Sequence, residues 1–148
     1  MGLPVRVFLV EDSTIIRERL SESIIQEGRI EIAGYADTET DALHALREKT
    51  VDAVVLDLQL KRGSGLAVLK AMRTNDAARS PVFIVFTNYD FPHYRAKSTQ
   101  LGADYFFDKA REYDRVREVL EDIACSREGT PAADEPASGR DPGVSRNA

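Results

Sequence analysis

Five short runs of β-branched, aliphatic and aromatic residues punctuate the chain, at 5–10, 30–35, 51–56, 81–86 and 105–107. Each has strand length, and the stretches between them place apolar residues at helical spacing. Residues 13–27 put Ile15, Ile16, Leu20, Ile24 and Ile25 roughly on one face, and Gly28 follows as a stop. Residues 38–49 carry Ala42, Leu43, Ala45 and Leu46, and Ser64 is placed to cap a helix bearing Leu66, Leu69 and Met72. Asp90 with Pro92 opens a fourth helix that Gly102 closes. A fifth, at 112–127, carries Tyr113, Val116, Val119, Leu120 and Ile123.

Strands alternating with helices at this pitch imply right-handed βαβ crossovers and a parallel sheet covered on both faces. The pattern predicts an α/β, doubly wound five-stranded fold. The third and fourth runs are continuously apolar, as central strands are, whereas the second alternates more and belongs nearer an edge. From Ser126 onward Gly, Pro, Ala, Ser, Asp, Glu and Arg dominate, with Val144 the only large aliphatic residue. The expectation is therefore one domain over 1–125 and a disordered polar tail over 126–148.

The chain has 148 residues and is 43% hydrophobic, enough for a single buried core. A formal charge of −5 and the lack of a basic cluster argue against a nucleic-acid or anionic-membrane surface and for a protein partner. The first twelve residues reach acidic positions too soon for a secretory signal, and no stretch approaches transmembrane length. Cys125 stands alone, so no internal disulfide forms, and it reads as a small packing residue late in the last helix. A cytoplasmic location is expected.

Open α/β sheets bind ligands outside the carboxyl ends of their strands. Four of the five runs end in reactive residues: Glu11 and Asp12 after the first, Asp57 after the third, Thr87 and Asn88 at the fourth, Asp108 and Lys109 after the fifth. Taken singly, each has an ordinary explanation as a helix cap, turn residue or solvated charge. Their coincidence at one end of successive strands points to a site. Carboxylates converging there would repel one another unless a hard divalent cation neutralised them, and Mg²⁺ suits a site of few carboxylates plus phosphate oxygens. His44 and His93 fall outside this constellation.

These residues, with the segments VVLDLQLKRGSGL and LGADYFFDKA, resemble the CheY-like response-regulator receiver family over residues 5–125. The resemblance implies a flavodoxin-like sheet of order 2-1-3-4-5 with five helices. It implies that Asp57 is the phosphoacceptor and that Asp12 ligates Mg²⁺ directly, with Glu11 acting through water. The backbone carbonyl of Gln59 supplies a further metal ligand. Thr87 is the switch hydroxyl, Lys109 pairs with the phosphoryl oxygens, and Phe106 is the switch aromatic. The donor is then a histidine kinase or histidine phosphotransfer protein. By the same resemblance the chain is expected to catalyse only its own phosphorylation and dephosphorylation. The family uses the face formed by the fourth helix, fifth strand and fifth helix, which the resemblance implies would here present Tyr94, Lys97, Tyr105, Arg115 and Glu118 to a downstream protein or a second copy. No helix-turn-helix segment follows in the sequence, so a stand-alone regulator signalling by contact is expected.

Three positions depart from the family pattern. Ala110 stands where proline is common, so either a trans peptide or local strain is expected after Lys109. Lys61 replaces another common proline, which loosens its loop and adds a positive charge near the site. Asn88 is bulkier than the small residue usual there. These departures support the alternative reading, a phosphorylation-independent interaction module on the same fold. A haloacid-dehalogenase-type phosphohydrolase would want an acid where Gln59 stands. An FMN carrier would place phosphate against Glu11 and Asp12, which would repel it.

Overall fold

A computed structural model describes residues 2–73 and 80–128. In chain order the elements are β1 (Val5–Val10), α1 (Thr14–Ile24), β2 (Ile30–Ala36), α2 (Glu39–Glu48), β3 (Ala53–Leu56), α3 (Gly65–Met72), β4 (Val82–Thr87), α4 (Pro92–Gln100), β5 (Tyr105–Asp108) and α5 (Tyr113–Glu128). All strands are parallel, in the order β2-β1-β3-β4-β5, the expected topology with β2 at an edge.

Alternate strand residues feed two cores, which is why the central strands read as unbroken apolar runs. On one face Val7, Leu9, Val55, Ile84 and Phe86 pack under α1 and α5, through Leu20, Ile24, Val116, Val119 and Leu120. On the other, Phe8, Val10, Val54, Leu56 and Val85 pack under α2 and α3, through Ala42, Leu46, Val68 and Leu69. Burying each such side chain contributes roughly 1.5–3 kcal/mol, so both faces hold the sheet flat against its helices.

The helices begin where the hydroxyls stand. Ser13, Thr38 and Ser64 accept backbone N–H bonds from Ile16, Asp41 and Leu66, satisfying otherwise unpaired first-turn donors. The fourth helix differs from expectation. Phe91 is its cap residue, without a side-chain bond, Pro92 takes the first turn, and Asp90 faces arginines instead.

Other sequence expectations also shift. Ile15 and Ile25 are 64% and 49% exposed: Ile15 lies on the side of α1 opposite Ile24, and Ile25 is the extended C-cap residue beyond the helix end. Cys125 is exposed rather than packed, since Ala124 occupies the buried position of that turn. Helix α5 continues through Ser126, Arg127 and Glu128, past the expected start of the tail, and Arg127 there bonds the carbonyls of Leu3 and Pro4 and the Asp52 carboxylate. The remainder of the expected tail, 129–148, lies outside the described residues. Every peptide bond among the described residues is trans, including the one after Lys109.

Candidate functional site at the carboxyl ends of the strands

The sheet order places the ends of β1, β3, β4 and β5 side by side. Backbone hydrogen bonds continue past the strands: Asp57 N–H donates to Val10 O at 2.9 Å, and Lys109 N–H to Thr87 O at 3.0 Å. The residues just beyond each strand are thus held by the ladder itself. Helix α3 approaches equally closely. A Cβ on Gly65 would overlap the Asp57 carbonyl oxygen, so only glycine lets this helix start against the Asp57 backbone.

Three of the expected residues form a compact acidic group. Glu11, Asp12 and Asp57 each bring a carboxylate oxygen within 4.8 Å of the others. Glu11 and Asp57 are 4% and 8% exposed, and Asp12 is the most open of the three. The Lys109 ammonium sits between the two buried ones, 2.6 Å from Glu11 Oε1 and 2.8 Å from Asp57 Oδ2. Glu11 Oε2 accepts the Ser13 N–H at 3.1 Å, and Asp57 Oδ1 faces the Gln59 N–H at 3.4 Å.

The electrostatics follow from burial. Removal from water pushes the Glu11 carboxyl above its ordinary value, the Asp57 charge adds to this, and the Lys109 contact opposes it. For Lys109 burial alone would lower the value, but hydrogen bonds to Asp57 and Glu11 outweigh it and the ammonium is raised. The two shifts point opposite ways for the state of this ion pair. The 2.6 Å contact favours the charged pair, because an ammonium at that distance stabilises the carboxylate directly. Three carboxylates against one ammonium leave the group negative, and hard oxygen donors of this kind fit a divalent cation such as Mg²⁺.

Thr87 is fully buried, and its hydroxyl oxygen accepts the Tyr89 N–H at 3.2 Å. Phe106, on β5 opposite Val85, is half-buried with the Arg95 guanidinium 4.6 Å from its ring centre. Gln59 and Asn88 are exposed. Lys61 does not point its charge freely at the site: its ammonium pairs with Asp37 at 3.1 Å. Nor is its loop loose. Glu39 N–H donates to Arg62 O at 2.9 Å, and the Glu39 carboxylate accepts the Ser64 N–H at 3.1 Å. His44 and His93 are exposed, the first beside Glu48 and the second against Tyr94. Sequence reasoning did not single out Gly65 or the charges around Asp90. The Gly-Ser-Gly at 63–65 was a signal for the first, and nothing local signalled the second.

The model of the response regulator receiver domain family matches residues 7–121. The chain belongs to that family. A protein-glutamate methylesterase/protein-glutamine glutaminase from Methanospirillum hungatei is 27% identical over 115 residues, 78% of this chain and 34% of that protein. A second, from Saccharophagus degradans, is 22% identical over 83% of this chain and 37% of its own length. The chain thus spans about a third of the length of these curated relatives. Among solved structures, a LuxR-family two-component response regulator from Aurantimonas superposes with TM-score 0.73 at 26% identity, covering 84% of this chain and 87% of that one. The response regulator domain of Thermotoga maritima CheB superposes with TM-score 0.68 at 18% identity, covering 84% and 96%, a likeness of fold. Among the described residues no helix is long and apolar enough to cross a membrane.

Proposed function

We propose that the chain is a response regulator that accepts a phosphoryl group on Asp57 from a histidine kinase or phosphotransfer protein and signals by protein contact. The observation that carries this reading is the Lys109 ammonium bridging Asp57 and Glu11 inside a three-carboxylate group. Glu11, Asp12, Asp57 and the Gln59 carbonyl would hold Mg²⁺, which when bound supplies neutralisation of phosphoryl-oxygen charge. An Asp57 carboxylate oxygen attacks phosphorus as the bond to the donor nitrogen breaks, leaving an acyl phosphate on this chain and a free histidine on the donor. Lys109 stabilises charge on the transferred group. The Thr87 oxygen accepts from Tyr89, so its own proton remains available to donate to a phosphoryl oxygen. Such chemistry modifies only the chain itself.

The α4, β5 and α5 face offers Lys97, Tyr105, Arg115 and Glu118 in the open and Tyr94 half-buried, a surface for a downstream protein or a second copy. The test is intact mass after incubation with acetyl phosphate and Mg²⁺. Gain of one phosphate, absent in Asp57→Ala and with chelator, is expected. No adduct in the wild type, together with no Mg²⁺-dependent fluoroberyllate binding, would transfer support to the phosphorylation-independent module.

A further inference from the structure

Arg95, on α4, carries a guanidinium that reaches three other parts of the fold. Its Nε donates to Asp90 Oδ1 at 2.6 Å, its Nη1 faces the Phe106 carbonyl at 3.5 Å, and its Nη2 lies 3.7 Å from Glu112 Oε1. The same group covers the Phe106 ring. Asp90 has a second partner, for its Oδ2 accepts from Arg111 Nη2 at 3.0 Å. Arg111 in turn holds Asp108 Oδ2 through Nε at 2.9 Å. Asp90 follows Thr87 by three residues and Arg111 follows Lys109 by two. One chain of charges centred on Asp90 therefore joins the loop after β4 to the loop after β5, and Arg95 within it seats the Phe106 ring.

We infer that Arg95, Asp90 and Arg111 form a latch that holds Phe106 in its unphosphorylated position and opposes activation. The inference rests on reading Asp57 as the phosphoacceptor and Phe106 as the aromatic that moves when Asp57 is loaded. Isolated surface ion pairs contribute little, but here two guanidinium groups share one carboxylate that is 20% exposed, and one of them also stacks on an aromatic face. Phe106 has no hydroxyl, so stacking rather than hydrogen bonding of its side chain specifies where the ring sits. A ring that moves away gives up the guanidinium, and a state lacking that contact is disfavoured by its loss. Arg95 touches no reacting atom and is a positioning residue acting through Phe106.

The experiment uses the full chain labelled with ring-¹³C phenylalanine, as wild type, Arg95→Ala, Arg95→Lys and Arg111→Ala, with amide dispersion confirming the fold of each. Without ligand, the Phe106 ring resonance of Arg95→Ala should move toward the position the wild type adopts with fluoroberyllate and Mg²⁺. Arg95→Lys keeps the charge for Asp90 but not the planar stack, so its resonance should move part of the way. Arg111→Ala, which leaves the stack in place, should move it least. Fluoroberyllate affinity should rise about fivefold in Arg95→Ala, the factor expected when one stacked cation and one exposed pair are lost from the favoured state. A stationary ring in Arg95→Ala with affinity unchanged or weaker would overturn the latch. Should Arg95→Ala not fold, the order of the other two variants decides. Should the wild type bind no fluoroberyllate, the Asp57 reading fails. The latch then falls with it, whereas a stationary ring in Arg95→Ala beside a wild type that does bind fluoroberyllate overturns the latch alone.

Discussion

At the scale of single residues, the fold gathers charges that water would otherwise separate, and their titration is measurable. Hydrogen bonding from Arg95, with Arg111 beside it, holds the Asp90 carboxyl below its ordinary value of 3.8. A carboxyl depressed in the folded state favours folding above its unfolded pKa, and that contribution is lost as pH falls through the lower folded value. Wild type should therefore exceed Asp90→Asn in urea stability at neutral pH, and the gap should close under acid conditions below 3.8. A gap that persisted in acid would show that charge at Asp90 is not its source. Asp57, Glu11 and Lys109 were legible in the sequence because each directly follows a strand. Asp90 was not. Its partners stand five and twenty-one residues away on other elements, and no local pattern joins them.

At the scale of elements, hydrophobic periodicity located each strand and helix among the described residues, while ends and faces were decided by neighbours. Helix α1 shows the difference: counting apolar residues put Ile15 in its stripe, yet at about 3.6 residues per turn Ile15 lies opposite Ile24 and faces outward, while Ile16, Leu20 and Ile24 turn to the core. Helix α3 shows the opposite case, where one residue type is required by a neighbour out of sight of local propensity. Gly65 abuts the Asp57 backbone, and alanine there forces the helix start and the β3 end apart. Gly65→Ala should cost about 3 kcal/mol in equilibrium unfolding and slow labelling of Asp57 by acetyl phosphate. An effect on neither would mean that the loop yields freely. The ties of Glu39 to Arg62 and Ser64 are what make yielding costly.

At the scale of the whole molecule, two cores back to back on one sheet make the strand ends rigid enough to hold like charges close together. Three carboxylates within 4.8 Å, with one ammonium between two of them, leave an excess negative charge that a bound cation would relieve. Mg²⁺ should therefore raise the thermal midpoint of the wild type, with about 2.7 kcal/mol of added stability at a hundredfold excess over its dissociation constant. Asp12→Ala should abolish most of this. A midpoint indifferent to Mg²⁺ in the wild type would count against the cation site.

The sequence by itself determined the alternation of strands and helices, and so the parallel sheet, because periodicity and burial on both faces are written into consecutive residues. It also determined which polar residues end the strands. Only the tertiary structure decided which charges meet: that Lys109 bridges Glu11 and Asp57, that Lys61 turns to Asp37, and that Arg95 covers Phe106 while holding Asp90. A long charged side chain has many rotamers and several partners within reach. Its choice depends on the distances and the burial that packing imposes, which no stretch of the chain carries alone.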